Sequence, residues 1–481
     1  MRGIRKFGLT FDDVAIVPGH SAILPGEADV STRLTKNIRL NIPIVSAAMD
    51  TVTESSMAIA MAQNGGIGVI HQYMTVERQA EEVKKVKRHE SWIVENPITT
   101  HPFETVANLK KIMHDSNISG VPVVDYGELV GIITKRDILF SDENTIVADL
   151  MTRKLVTVPE TITREEAKRM LHENRIEKLL VTDSGGRLKG LITVKDILRK
   201  ENFPHGLRDK NGRLMVAAAV SVDSLARVDA LIKAGVDVII VDSAHGHSAN
   251  VISTVREIKK NFGIDVVAGN VVTAAAAESL IAAGADAVKV GIGSGSICTT
   301  RVVTGVGIPQ ITAVEECSEA ADRYRIPVIS DGGIKNYGDI AKAIAAGASC
   351  VMVGNLLAGT EEAPGEKIVL EGRLYKQYRG MGSEGALTAR YGTGRYVKDP
   401  KGKLVPEGVE GIVDYVGNVA EVLSDMVGSL RHAMGYTGYK TVEEFRRYAQ
   451  LMQVSIGGQQ EAHPSVRMTR EPKNYRRSTQ E

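Results

Sequence analysis

The stretch VDVIIVDSAHGHSANVISTVREIKKNFGIDVVAGNV (236–271) contains two short apolar runs on either side of a segment with helical character. Both runs are rich in β-branched residues and lack the alternation of a half-exposed strand. Strands that are continuously apolar are typical of parallel sheets, which are covered on both faces. The stretch therefore predicts a strand–helix–strand unit of an α/β fold.

The same unit recurs along the chain, outside residues 92–205. Gly235, Gly284 and Gly347 follow the helical segments at positions where a helix commonly ends. The strand candidates are 42–49, 66–71, 215–221, 236–244, 265–271, 285–293, 327–333 and 348–355. Eight such units predict a closed (β/α)8 TIM barrel, with an open doubly wound sheet as the alternative.

Residues 92–205 interrupt this rhythm and contain an internal duplication. VVDYGELVGIITKRDIL (123–139) matches LVTDSGGRLKGLITVKDIL (180–198), with equivalent threonines and aspartates 59 residues apart. The halves resemble CBS domains, which pack as a pair and often bind adenine nucleotides. We therefore expect a barrel in two parts, 1–91 and 206–481, around a tandem CBS insert at 92–205. A mobile lid at about 384–412 and a polar tail at 464–481 complete the prediction.

Composition limits the class of protein. Lys plus Arg number 59 and Asp plus Glu 58, a net charge of +1 that argues against nucleic acid as the main partner. The three cysteines cannot form a disulfide framework, and the first residues lack the apolar core of a secretion signal. The most apolar window, 271–292, contains three charged residues, which argues against a membrane span. We expect a cytoplasmic protein.

Catalytic groups of a TIM barrel come from the loops that follow its strands. GIGSGSICTTR (291–301) follows the sixth strand and contains Cys298, a candidate nucleophile. The glycine-containing loops SDGGI (330–334) and VGN (353–355) follow the seventh and eighth strands, where barrels usually bind phosphate. Asp331 is placed to accept hydrogen bonds from ribose hydroxyls. These loops predict a nucleotide site beside a reactive cysteine.

Several strings in the chain resemble the IMP dehydrogenase and GMP reductase family. They are LTFDDV (9–14), AAMDTVTES (47–55), GIGSGSICTTR (291–301), SDGGI (330–334), YRGMGS (378–383) and KLVPEGVEG (403–411). The resemblance implies oxidation of IMP to XMP with NAD, the committed and rate-controlling step toward guanine nucleotides. The alternatives are a GMP reductase, which uses NADPH, and an inactive nucleotide sensor. Reductases typically lack the insert, so residues 92–205 and KLVPEGVEG favour the dehydrogenase.

The resemblance also implies catalytic roles. Cys298 attacks C2 of the purine, a covalent thioimidate remains after hydride transfer, and Thr300 orients the water that hydrolyses it. Glu407, with Thr300, corresponds to an alternative proton path. The family's base in the lid is an Arg followed by Tyr, which fits both Arg390–Tyr391 and Arg395–Tyr396. The spacing to KLVPEG favours Arg395 and Tyr396.

Binding residues follow from the same resemblance. IMP is expected at Ser296, Asp331, Gly332, Gly333, Gly354, Asn355, Tyr378, Met381, Gly382 and Glu407. NAD is expected at Asp242, Ser243, Asn270, Gly291 and Gly293. A potassium ion is expected at the carbonyls of Gly293, Gly295 and Cys298, with Glu461, Ala462 and His463 of a neighbouring subunit in a homotetramer. An adenine or guanine nucleotide is a possible ligand of the CBS pair. Asn355 stands where many relatives have Ser, and no side-chain contact is assigned to Ala47 or Ala48.

Overall fold

The computed structural model describes residues 7–89, 93–116, 118–195, 197, 203–388, 405–466 and 469. The chain divides into two compact units. One consists of Met1–His89 with His205–Glu481, and the other is Glu90–Pro204. The sequence-based expectation places the bounds of the insert at 92 and 205.

The part of the chain before the insert contributes short strands and two helices. The strands are β1 (Val14–Ile16), β2 (Thr32–Arg33), β3 (Arg39–Leu40), β4 (Ile44–Ser46) and β5 (Ile67–Ile70). The helices are α1 (Ser55–Gln63) and α2 (Val76–His89), with 3-10 turns at Phe11–Asp13 and Pro25–Glu27.

The inserted unit repeats one pattern, in which a helix precedes an antiparallel hairpin. Its strands are β6 (Val94–Glu95), β7 (Gly120–Asp125), β8 (Glu128–Thr134), β9 (Thr157–Pro159), β10 (Lys178–Thr182) and β11 (Leu188–Thr193). Its helices are α3 (Val106–Asp115), α4 (Val147–Leu150) and α5 (Arg164–Glu173). The hairpins β7–β8 and β10–β11 both contain a register shift, and each half has its own small apolar core. This repetition follows the sequence duplication.

The chain after the insert returns to alternating strands and helices. The strands are β12 (Ala217–Val220), β13 (Val238–Asp242), β14 (Asp265–Val271), β15 (Ala287–Val290), β16 (Val328–Asp331), β17 (Cys350–Val353), β18 (Lys367–Leu370), β19 (Arg373–Arg379), β20 (Glu410–Asp414) and β21 (Leu451–Gln453). The helices are α6 (Leu225–Ala234), α7 (Ala249–Asn261), α8 (Ala274–Ala282), α9 (Thr300–Thr304), α10 (Gln310–Asp322), α11 (Gly338–Ala345), α12 (Asn355–Ala358), α13 (Glu384–Thr388), α14 (Val419–Thr437), α15 (Val442–Tyr448) and α16 (Ile456–Glu461).

Eight parallel strands form a closed barrel in the order β12-β13-β14-β15-β16-β17-β4-β5. Each predicted strand contributes one barrel strand, so the TIM-barrel prediction is confirmed and the open sheet is wrong. Gly235, Gly284 and Gly347 have φ of 93°, 103° and 110°, the left-handed conformation that glycine adopts after a helix. These three predicted helix ends are therefore confirmed.

The barrel interior is filled by side chains and closed at the amino ends of its strands. Leu34 and Leu40, in and beside the β2–β3 hairpin, are fully buried against interior residues such as Val238 and Val267. The adjacent Thr35 donates to Asp265 at the start of β14, over 2.5 Å. Open space therefore remains at the carboxyl ends of the strands, where the predicted loops lie.

A buried ion cluster joins the two points where the chain leaves and re-enters the barrel. Lys87, in the last turn of α2, lies 3.0 Å from Asp209 and 2.8 Å from Asp237, between Nζ and carboxylate oxygens. Asp209 also pairs with Arg213 at 3.0 Å. Burial raises the pKa of Asp237, and the Lys87 ammonium opposes this shift. The cluster ties residue 87 to residue 209 across the insertion point. In the part of the chain described, no helix combines the length and apolar character that crossing a bilayer requires.

Candidate active site

The cysteine loop connects β15 to α9 and is held by a side chain of its own. Arg301 donates from Nε to the carbonyl of Ile292 over 2.9 Å and from Nη2 to the carbonyl of Ile308. Gly293 has φ of 71°, and a Cβ there would lie 2.5 Å from Cγ of Arg301. Burial lowers the pKa of Arg301, while the nearby Cys298 opposes this change. Gly293 thus leaves the space in which Arg301 fixes the loop.

Cys298, Thr300 and Glu407 form a hydrogen-bonded chain. The Cys298 Sγ lies 3.1 Å from Thr300 Oγ1, and Thr300 Oγ1 donates to Glu407 Oε2 over 2.8 Å. Because the Thr300 hydroxyl donates a hydrogen bond to the carboxylate, the Thr300 oxygen is oriented to accept a hydrogen bond from a thiol or a water. Such a chain can carry protons between the reacting centre and a carboxylate.

The segment around Glu407 is held between the cysteine loop and the YRGMGS loop. On one side, Thr299 N donates to the Glu407 carbonyl over 3.0 Å and Val409 N to the Ile297 carbonyl over 3.0 Å. On the other, Glu407 N donates to the Gly382 carbonyl over 2.9 Å. The backbone thereby fixes Glu407 relative to the thiol, although 109 residues separate it from Cys298 in the sequence.

The YRGMGS loop is anchored by an ion pair that the sequence reasoning missed. Arg379 binds Asp50 through Nη2 at 2.6 Å and Nε at 3.1 Å. The Asp50 amide also donates to Sδ of Met381 over 3.4 Å. The pair raises the pKa of Arg379, so the guanidinium stays charged. It fixes the position of Met381 in the cleft wall.

The glycine loops after β16 and β17 line the same cleft as Met381. Gly332 and Gly333 have φ of 92° and 83°, and a Cβ on Gly332 would lie 2.5 Å from Oγ of Ser294. These successive left-handed residues therefore require glycine. Tyr378 is buried, which raises the pKa of its hydroxyl, and hydrogen bonding to Ser296 opposes that shift. A Cβ on Gly354 would meet that hydroxyl at 2.9 Å.

Four polar side chains meet beneath these loops, at the ends of β13, β14, β15 and β16. Lys289 Nζ contacts Asp242 Oδ1 at 3.1 Å, Asp331 Oδ2 at 2.5 Å and the side-chain oxygen of Asn270. Asn270 donates to Asp331 Oδ2 over 2.9 Å. The cluster connects two candidate binding residues, Asp242 and Asp331, through one ammonium.

The family model described as IMP dehydrogenase / GMP reductase domain matches residues 8–465. The chain belongs to the IMP dehydrogenase / GMP reductase family. It is 54% identical over 479 residues to the inosine-5'-monophosphate dehydrogenase of Aquifex aeolicus, covering 98% of both chains. It is 53% identical over 486 residues to that of Escherichia coli strain K12, covering 99% of both.

Among solved structures of this family, a cysteine-to-alanine variant of GMP reductase from Trypanosoma brucei, in complex with guanosine 5'-monophosphate, is similar to this chain. The TM-score is 0.91 with 39% identity, over 96% of this chain and 99% of that one. A structure of the same variant described without the nucleotide has a TM-score of 0.76 and 38% identity. A GMP reductase therefore matches this chain over almost its full length. The insert alone therefore does not distinguish a dehydrogenase from a reductase.

The structure brings most of the predicted family residues into one cleft. The predicted residues that line it are Asp242, Ser243, Asn270, Gly291, Gly293, Gly295, Ser296, Cys298, Thr300, Asp331, Gly332, Gly333, Gly354, Asn355, Tyr378, Met381, Gly382 and Glu407. Glu461, Ala462 and His463 lie instead at the end of α16, away from the lining. Arg395 and Tyr396, and the alternative Arg390 and Tyr391, lie outside the described residues.

The cleft also contains residues that the sequence reasoning did not place there. Ala47, Ala48 and Met49 line it, although the sequence analysis assigned no side-chain contact to the first two. Lys289 lines it as well. The sequence contained one sign of this role: Lys289 is the charged residue in the apolar run AVKV (287–290), and a charge on a buried strand needs polar partners.

Proposed function

We propose that this chain oxidises IMP to XMP with NAD as the hydride acceptor. The observation that carries the proposal is the Cys298–Thr300–Glu407 chain in the same cleft as two glycine loops that suit a phosphate. The high identity to proteins named inosine-5'-monophosphate dehydrogenase supports it.

The chain's own residues suit a purine nucleotide. Gly332, Gly333 and Gly354 offer backbone that a phosphate can approach closely, and Ser296 adds a hydroxyl. The Asp331 carboxylate accepts hydrogen bonds from the ribose hydroxyls. Met381, fixed through Asp50, packs along the purine and holds its C2 near the Cys298 sulfur.

The acidic and amide groups at the ends of β13 and β14 suit a dinucleotide. Asp242, Ser243 and Asn270 are the residues that would hold NAD, with Gly291 and Gly293 at its edge. When bound, NAD supplies a nicotinamide ring that accepts a hydride. Asp242 and Asn270 face the cleft beside Asp331, so both ligands would meet above the barrel axis.

The proposed reaction has two stages. The Cys298 thiol releases its proton, its sulfur forms a bond to C2 of IMP, and the hydrogen at C2 leaves as a hydride with its electron pair. The hydride would pass to the nicotinamide ring of NAD, so that C2 is oxidised and a thioimidate remains. Thr300 then orients a water whose oxygen attacks C2, and the C–S bond breaks to give XMP and the Cys298 thiolate, which takes up a proton to regenerate the thiol. The water proton passes to the lid base Arg395, with Tyr396 beside it, or through Thr300 to Glu407.

Several further assignments belong to the same proposal. A potassium ion would bind the carbonyls of Gly293, Gly295 and Cys298, since carbonyl oxygens suit a large, weakly hydrated cation. Glu461, Ala462 and His463 of a neighbouring subunit in a homotetramer would complete the site. The repeated halves of the insert would form a CBS pair that binds an adenine or guanine nucleotide. We place the enzyme in the cytoplasm.

A GMP reductase is the second candidate, because a reductase structure matches almost the whole chain. The purified protein mixed with IMP and NAD is expected to form NADH, followed by its absorbance, in proportion to XMP. With GMP and NADPH, the NADPH absorbance is expected to stay constant. Activity only with the second pair would make the protein a reductase, and activity with neither would favour the inactive sensor.

A further inference from the structure

Lys289 is a buried lysine that the proposed reaction leaves without a role. Its side chain is 3% exposed and belongs to β15, whose neighbours along the strand are apolar. A buried ammonium is costly unless charged and polar partners surround it. An apolar residue at position 289 would match its apolar neighbours on β15. The polar partners of Lys289 should therefore explain why a lysine is present.

The partners lie on both sides of β15. Strand pairing places Gly269 beside Lys289 on β14 and Ile329 beside it on β16, so side chains at the ends of β13 and β16 come within reach. Lys289 Nζ contacts Asp242 at 3.1 Å and Asp331 at 2.5 Å. The cluster of one ammonium and two carboxylates has a formal charge of −1.

The bonds select one oxygen of Asp331. Both Lys289 Nζ and Asn270 Nδ2 contact Oδ2, at 2.5 Å and 2.9 Å. Asn270 also donates to the Gly291 carbonyl over 2.6 Å, so its amide orientation is fixed. The carboxylate of Asp331 is half-buried and lines the cleft, and two donors on Oδ2 orient Oδ1 for a ligand.

We propose that Lys289 is a positioning residue that fixes Asp331 for the nucleotide and Asp242 for the dinucleotide at the same time. This inference rests on the proposed function, since it assigns the two aspartates to the two ligands. Lys289 acts through both carboxylates, because its one ammonium contacts Asp242 and Asp331 together. Without the ammonium, both carboxylates lose a shared charged hydrogen-bond donor, and their positions are no longer fixed through it.

The test is Lys289→Met, which keeps an unbranched side chain of similar size and removes its charge. The KM values for IMP and for NAD are each expected to rise about 10- to 100-fold, the loss typical of a hydrogen bond to a charged group. Lys289→Arg restores a cation and is expected to recover most of both values. The melting temperature of each variant is measured in parallel.

Lys87→Met is the matched control. Lys87 is equally buried and also bridges two aspartates, but Asp237 lies at the amino end of β13, away from the cleft. This variant is expected to melt at a lower temperature with both KM values unchanged. Similar changes of KM in the two variants would reduce Lys289 to a purely structural residue.

The nucleotide arm is tested separately with Asp331→Asn. In that background, Lys289→Met is expected to add less than threefold to the dissociation constant of IMP, measured by calorimetry, because the two residues act together. Independent effects that multiply would overturn the proposal. Calorimetry needs no turnover, so a protein that binds IMP but forms no NADH would refute the proposed function and leave this inference testable.

Discussion

Replacement of Cys298 by alanine is expected to lower the rate of NADH formation from IMP and NAD by at least about 10⁴-fold. The sulfur is the atom that bonds to C2, and neither Thr300 nor Glu407 can substitute for it as a nucleophile. Mass spectrometry of the wild-type protein, digested after incubation with IMP and NAD, is expected to detect an adduct on the peptide that contains Cys298. The variant is expected to have no adduct.

Cys317→Ala is the control for this experiment. Cys317 is fully buried in α10, and burial raises the pKa of its thiol to about 12, so it stays protonated at neutral pH. Its removal is expected to leave turnover and the adduct unchanged. Persistent turnover in the Cys298 variant, or an adduct on another cysteine, would remove Cys298 from the mechanism.

Replacement of Arg395 by alanine is expected to slow hydrolysis of the adduct by about 10²- to 10⁴-fold, the contribution of a general base. Hydride transfer precedes the need for a base at the water, so it is expected to change little. Rapid-mixing measurements should therefore record a burst of one NADH per active site, followed by a slow steady state. The adduct should accumulate in the mass spectrum.

Arg390→Ala separates the two Arg-Tyr pairs of the proposed lid. Both arginines are followed by tyrosine and lie five residues apart, so the two variants remove the same charge from neighbouring positions. Arg390→Ala is expected to have nearly normal hydrolysis. A burst in this variant but not in Arg395→Ala would exchange the assignments, and equal slowing of both chemical steps would contradict a specific role in hydrolysis.

The barrel could be predicted from the sequence because each of its strands is a separate apolar run, followed by a loop with polar residues. Parallel strands bring those loops to one end, so Cys298, Asp331 and Gly354 could be placed together without coordinates. Glu407 lies far from these loops along the chain, so only the family resemblance could assign it to the site. The structure supplies the backbone hydrogen bonds that hold Glu407 beside Thr300.

Other parts of the site could not be predicted, because their partners are far apart in the sequence. Asp50 and Arg379 are separated by 329 positions, and neither is unusual in its local sequence. The role of Lys289 depends on strand register, which decides the side chains that its ammonium meets. A lysine in an apolar strand indicates only that charged or polar partners are present. Their identity follows from the closed barrel.

The ion cluster of Lys87, Asp209 and Asp237 belongs to the barrel, so the barrel does not depend on the inserted unit to hold this point together. Lys87 and Asp209 are in direct contact, so the segments before and after the insert are already held together by an ion pair. Removal of the inserted unit is therefore expected to leave the barrel intact, because the contact that closes the insertion point belongs to the barrel itself.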